Sequence, residues 1–356
     1  MKIGILTFHC AHNHGAVLQA YALQNFLSEN GYQVEIIDYR PDYLIYPYEP
    51  FAAYKNLRSL IGGVILFPQR FIKHKRFEKF INNNLVLSSI KYFNGAFKKE
   101  YDFFVLGSDQ IWNSTITNGD PVFFGNFDRR EESKIIAYAA SMEVDREDDS
   151  VELSTHQTEL QKFSSIGVRE DILQDKIQKL AYCEVRTVLD PTLLVDSSVF
   201  NNIISRTQDE KYILVYQVKK DTWARKLSTF ISKKINIPKI IFSASSIEKA
   251  DLFNKYAAIS PQKFLGLFSG TDYVVTTSFH GVAFSIIFRK QFVCIVNKER
   301  GNYRISSLLK KLGLIDRMIY AGSLPPKNVI DYDVVYKILE QERLVSSNFL
   351  LNSLKF

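Results

Sequence analysis

The chain has 356 residues, a formal net charge of +7, 46% hydrophobic and 23% charged residues. That length and balance suit two ordinary globular domains and exclude a disordered or fibrous class. Three scattered cysteines, Cys10, Cys183 and Cys294, exclude a disulfide framework and a cysteine zinc site.

No stretch reaches the ~20 apolar residues of a membrane-spanning helix. The first residues enter a strand at once, which leaves no room for a signal peptide. A cytoplasmic protein is expected, with the inner face of the membrane as an alternative location.

Lys2–Phe8 reads as a first strand. Ala16, Ala20, Leu23 and Leu27 then fall on one helical face, Gly31 stops the helix, and Gln33–Tyr39 is a second strand. The intervening turn holds His9, His12, Asn13, His14 and Gly15 but lacks the G-x-G-x-x-G of dinucleotide binding. Its helix N-terminus still offers free N–H groups to an anion or a sugar hydroxyl. For the histidines, the plain alternative is a loop residue satisfied by backbone or water.

Residues 41–68 are rich in Tyr, Pro and apolar side chains and read as an irregular excursion or lid. Residues 69–80 follow as an amphipathic basic helix with Phe71, Phe77 and Phe80. A solvated helix with an apolar inner face is the first reading. A peripheral membrane contact is the alternative, and nucleic acid is not expected, because no recognition module accompanies the charge.

Tyr101–Gly107 is a buried strand ending in Gly107-Ser108-Asp109-Gln110. These polar residues suit ligand hydrogen bonding or an Asx turn. Ser133–Ser141 is the next strand, Ser154–Ser164 a polar helix, and Gly167–Val168 the end of a short strand before Arg169. Arg169 faces an anion or pairs with Glu170 or Asp171. Val185–Leu189 is a strand closed by Asp190-Pro191-Thr192.

A polar seam at Asp196–Asp209 precedes a second α/β run: strand 212–218, helix 222–235, strand 239–244, helix 261–269. Tyr273–Asn297 then forms a βαβ unit with Ser278-Phe279-His280-Gly281 at the first strand's carboxyl end, where open α/β sheets bind ligands. Helices at 304–312 and 334–344 end the chain. Strand–helix alternation implies an α/β fold of two Rossmann-like domains facing across a cleft. The expected division is 1–196, 197–325, and a C-terminal helix in 326–356 that packs back on the first domain.

His280 is the leading catalytic candidate, since an imidazole exchanges protons near neutral pH; capping its own helix is the plain alternative. Asp109 is the second, as a base or hydroxyl ligand. No metal motif appears, and Asp331-Tyr332-Asp333 reads as surface. Pattern alone indicates a cleft enzyme acting on a small anionic or sugar-like substrate.

Six ordered motifs carry a resemblance: Asn13–Leu23, Gly107–Asn113, Ala137–Ser141, Val168–Glu170, Asp190–Thr192 and Ser278–Gly281. Together they resemble the polysaccharide pyruvyl transferase family over Lys2 to about Leu314. The resemblance implies a GT-B-like fold and transfer of the carbon skeleton of phosphoenolpyruvate to a sugar, as a pyruvate ketal, with no cofactor and no metal. The acceptor is a sugar of a surface polysaccharide or its precursor, free or lipid-linked. The resemblance also implies site roles. His280 and Asp109 would be catalytic, and Arg169, Ser278 and Gly281 would bind the donor. Asn13, His14, Gly15, Ser108 and Gln110 would face the acceptor or the cleft. Some members carry an arginine two residues before the histidine, where this chain has Ser278; Lys298, Arg300 and Arg304 are then the candidate anion clamps. A GT-B glycosyltransferase using a nucleotide sugar, and a non-catalytic sugar- or partner-binding member, are the alternatives.

Overall fold

The computed structural model describes residues 1–50, 57–92, 94–95, 97, 100–142, 148–205, 210–218, 220–244, 247, 251, 253–297 and 302–355. Lys298 and Arg300, and parts of the expected lid and seam, lie outside the described residues.

Two parallel sheets form the scaffold. The first holds β1 (Lys2–Leu6), β2 (Gln33–Tyr39), β3 (Leu87–Tyr92), β4 (Phe103–Leu106), β5 (Lys134–Ala140), β6 (Ser165–Val168) and β7 (Val185–Thr187). Its order is β3-β2-β1-β4-β5-β6-β7. The second holds β8 (Ile213–Gln217), β9 (Lys239–Ser243), β10 (Tyr273–Thr276), β11 (Gln291–Val296) and β12 (Met318–Tyr320), in the order β12-β11-β10-β8-β9. Every pairing between strands is parallel, from Ile3 opposite Phe103 to Val275 opposite Val293. Central strands are apolar runs because helices cover both faces; β4 and β10 are buried almost throughout. In each sheet the order reverses direction beside the first strand laid down, and such switch points open a crevice at the carboxyl ends. Two Rossmann-like sheets bordering one cleft are the α/β, GT-B-like arrangement expected.

Some local expectations change. The helix expected from residue 69 begins at Leu57, runs to Asn84 and contains Pro68. Pro68 forgoes one hydrogen bond to the carbonyl four residues back, that of Val64, and both residues lie on an exposed face of the helix. The single helix expected over 154–164 is two short pieces, Asp148–Thr155 and Gln157–Leu160. The final helix is twice as long as expected, Tyr332–Ser353. It touches the second sheet's helix through Tyr332 Oη and the Ser285 carbonyl (3.1 Å). It reaches the first sheet's side through Arg343, whose Nε and Nη2 donate to the carbonyls of Leu193 (2.8 Å) and Val195 (2.7 Å).

Candidate active site

The cleft begins where two helix starts meet. Asn13 caps helix His14–Glu29, its side chain accepting from the Gly15 amide at 2.9 Å. A Cβ on Gly15 would stand 2.1 Å from His280 Nδ1, so only glycine lets the imidazole lie against this turn. His280 occupies the first turn of helix Phe279–Ile287, whose N-cap residue Ser278 makes no side-chain capping bond. Gly281 is equally constrained: a Cβ there would meet Thr276 Oγ1 at 2.1 Å. Glycines at 15 and 281 thus bring the carboxyl ends of β1 and β10 together around one histidine.

The cavity between them has a volume of about 400 Å³ and is lined by Asn13, Asp109, Gln110, Ser278, His280 and Arg304, among others. Asp109 follows β4 with φ +82°, and its Oδ1 accepts from the next amide at 2.9 Å. That positive φ suits an aspartate tied to its own backbone. Arg304, in the first turn of helix Tyr303–Lys311, lies opposite Gln110; with its oxygen turned toward the guanidinium, Gln110 accepts from Nη1 at 2.8 Å and Nη2 at 3.0 Å.

Beneath the cleft lies a buried ionic cluster. Arg169 Nη2 sits 2.6 Å from Asp190 Oδ2, and the same guanidinium donates to Ser108 Oγ, from Nε at 3.1 Å and also from Nη2. Its plane rests over the Phe279 ring, 5.1 Å from the centroid. Asp190 caps the next helix through the Thr192 amide (2.8 Å) and hydroxyl (2.6 Å). Burial pushes the Asp190 carboxyl up, but Arg169, His280 and Thr192 outweigh it and leave the group below the usual carboxylate range. His280 Nε2 is 3.9 Å from Asp190 Oδ2, too far for a hydrogen bond, and has no partner. Burial lowers the imidazole below its ordinary value, against the opposite pull of Asp190 and Asp109. It is therefore neutral at pH 7, with Nε2 buried on the Asp190 side and without a hydrogen-bond partner.

A family model of polysaccharide pyruvyl transferase matches residues 13–299. The chain belongs to the polysaccharide pyruvyl transferase family. It is a transferase enzyme by that membership. No curated protein matches. Among solved structures, the UDP-GlcNAc 2-epimerase of Neisseria meningitidis bound to UDP-GlcNAc is similar at 10% identity over 99% of each chain, with a TM-score of 0.48. The S. aureus MnaA–UDP structure is similar at 11% identity over 99% of this chain and 97% of that one (TM-score 0.45). The E. coli ADP-heptose LPS heptosyltransferase II follows at 12% identity, 97% and 99% coverage and a TM-score of 0.37.

In this pyruvyl transferase family member, Asn13, Asp109, Gln110, Ser278 and His280 line the cleft. Gly15 and Gly281 shape its wall by close packing. Ser108 and Arg169 are beneath it, held by Asp190, so Arg169 presents no open fork to a ligand; its Nη1 alone lacks a hydrogen-bond partner. His14 does not line the cleft. It stacks on Phe264 (4.6 Å) and meets Phe77 (4.9 Å), and its Nε2 lies 3.2 Å from the Ile259 carbonyl. Burial and Lys73 hold it down to about 3, so it is a neutral ring joining the two halves.

The other turn histidines are also structural. His9 Nε2 contacts Asp38 Oδ1 at 2.8 Å, and His12 Nε2 contacts Glu78 Oε1 at 3.0 Å, with Arg40 bonded to both acids.

Two residues gain weight that the strand-end pattern did not give them. Asp190 is the counter-charge of Arg169. Glu170 is fully buried; its Oε1 accepts from Ser141 Oγ, while Oε2 has no partner. Burial pushes this carboxyl up to about 7, although Ser141, Arg304 and Arg169 pull it down. Both residues stood in the quoted motifs as a strand closure and an ion-pair partner, so the signal was position rather than chemistry. Among the described residues no group of three or more His, Cys, Asp or Glu is arranged to hold a metal ion.

Proposed function

We propose that this enzyme transfers the carbon skeleton of phosphoenolpyruvate to two hydroxyls of a sugar, forming a pyruvate ketal. The acceptor is a surface polysaccharide or its precursor, free or carried on a lipid, and the reaction runs in the cytoplasm. The observation carrying this reading is one cleft lined together by a neutral His280, Asp109 and the Arg304 guanidinium in a member of this family.

Arg304 and the open first turn of helix Phe279–Ile287 bind the donor's phosphate and carboxylate, so charge is neutralised with no metal ion. Asp109 and Asn13 hydrogen-bond acceptor hydroxyls. Neutral His280 takes the proton of the attacking hydroxyl. The acceptor oxygen bonds to C2 of the donor while C3 gains a proton and becomes a methyl group. Phosphate then leaves with the C2–O electron pair, and the second hydroxyl closes the ketal. Of the two hydroxyl protons, one ends on C3 and the other on phosphate. Arg169 acts indirectly, by fixing Asp190 and Ser108 under the imidazole.

The test is phosphate release from phosphoenolpyruvate with pooled sugar acceptors. Release is expected from the native chain and a fall of roughly 10²–10⁴ in His280→Ala, with thermal stabilisation by phosphoenolpyruvate retained. No release and no stabilisation would refute the donor assignment; stabilisation by UDP or GDP instead would favour a nucleotide-sugar glycosyltransferase. An unchanged biological output in His280→Ala would favour a non-catalytic role.

A further inference from the structure

Helix Leu57–Asn84 has an outward face with an unusual composition. Val64 is 64% exposed, Ile65 48%, Phe71 40% and Ile72 43%. With exposed Pro68 they form one stripe, since residues three and four apart share a helix face. Lys75 and Lys79 continue the stripe and are exposed too. No acidic side chain interrupts it: the helix's Glu78 turns inward to His12 and Arg40. Phe67 stacks on Phe71 at 5.5 Å, and Lys75 Nζ lies over the Phe71 ring at 5.1 Å.

The rest of the helix is already engaged. Phe77, Phe80 and Ile81 are in the core. Arg70 and Arg76 reach the second half of the molecule, donating to the carbonyls of Ile247 (3.2 Å) and Ala258 (2.7 Å). The apolar stripe is therefore not needed for folding contacts. A soluble face of five neighbouring apolar residues is a marked interaction surface.

We propose that this face, residues 64–79, seats the enzyme on an anionic lipid surface. The charge decides the occupant. Apolar residues followed by lysines on one stripe, with no exposed acid, match an acyl layer beneath anionic headgroups. The long lysine stems let the ammonium groups reach headgroups while their methylenes stay against the aromatic ring. No described helix is long and apolar enough to cross a membrane, so the contact is peripheral. The same helix, on its inner side, holds His12, next to the cleft residue Asn13. Seating this face on a membrane places the acceptor-side turn one helix thickness from the lipid, where a lipid-carried sugar arrives. The surface itself stands independently of the donor's identity.

The experiment is vesicle co-sedimentation of the full chain. Vesicles of phosphatidylcholine with about 30 mol% phosphatidylglycerol are compared with phosphatidylcholine alone. Binding at least about tenfold stronger to the anionic vesicles is expected, weakening as salt rises. Phe71→Ser with Ile72→Ser, and separately Lys75→Glu with Lys79→Glu, should each reduce it about tenfold while the chain stays folded, with at most a small fall in melting temperature from the lost Phe67–Phe71 stacking. Absence of binding, equal binding to both vesicles, or native binding by either double variant would overturn the proposal. So would self-association of the native chain that Phe71→Ser with Ile72→Ser abolishes while vesicle binding is absent; the face would then pair with a second copy.

Discussion

Replacing Glu170 by Gln should make the protein more stable at alkaline pH and leave it little changed at low pH. Gln keeps the shape and the oxygen that accepts from Ser141 Oγ. It removes a charge from a site that is fully buried and whose second oxygen has no partner. The carboxyl is raised from 4.5 to about 7 in the fold, through burial. A raised acid pKa means that the folded state holds its proton longer than the unfolded state. The resulting stability is fully present below the unfolded value and is lost as pH rises toward the folded value. Each unit corresponds to ~1.36 kcal/mol, so the native chain should lose about 2.5 kcal/mol relative to Glu170→Gln between about pH 5 and 8. Urea unfolding midpoints of both proteins across that range measure it, since titrations common to both cancel in the difference. A stability difference that does not change with pH would mean that Glu170 is ionised throughout, stabilised by Arg169 and Arg304, and the reasoning would fail.

Asp190→Ala should destabilise the fold by roughly 3–5 kcal/mol, because it strips a buried arginine of the carboxylate 2.6 Å away and leaves Asp109, at 3.8 Å, as the near counter-charge; urea denaturation checks this. Gly15→Ala should cut turnover by about 10² through displacement of the His280 ring, which stands 2.1 Å from the new Cβ; turnover equal to the native enzyme in the phosphate-release assay would show that the ring position is immaterial. Arg304→Ala should raise the KM for phosphoenolpyruvate ~10–100-fold with a smaller effect on kcat, measured by initial rates; an unchanged KM would remove Arg304 from the donor site.

What the sequence revealed follows the physics of parallel sheets. Central strands are apolar runs because both faces are covered, and so β1, β2, β4, β5, β8 and β10 stood out. Two of the edge strands carry no such run: β3 reads LSSIKY with three exposed positions, and β12 has three residues. Pro68 looked like a boundary because proline breaks most helices, yet it lies inside helix Leu57–Asn84, on an exposed face. The cleft residues Asn13, Asp109 and His280 were legible because each follows a strand's carboxyl end. The buried cluster was not, since it depends on distance through space: Ser108 and Arg169 are 61 positions apart, and no local pattern joins them. His14 misled for the same reason. Beside a glycine at a helix start it looked like a ligand, and only Phe264 and Phe77, from distant helices, make it a packed ring.

Ser278 shows how a changed residue alters the electrostatics of a retained corner. An arginine at this position would stand two residues before His280, at the N-cap of the same helix. A cation there depresses the imidazole and adds its charge to the helix dipole. With serine, the corner keeps its N–H groups and loses the side-chain charge, while Arg304 supplies a guanidinium from the neighbouring helix. Arg304 still lowers His280, but it ranks behind burial, Asp190, Asp109 and Arg169 among the influences on that ring. The cation is thereby separated from the base. On the proposed mechanism the histidine remains a proton acceptor tuned by Asp190 below it, and anion binding falls to Arg304, which also holds Gln110. In the proposed mechanism the side-chain cation for the donor and the proton acceptor then rest on different helices, Tyr303–Lys311 and Phe279–Ile287, which is why changes at Arg304 and at His280 should split between KM and kcat.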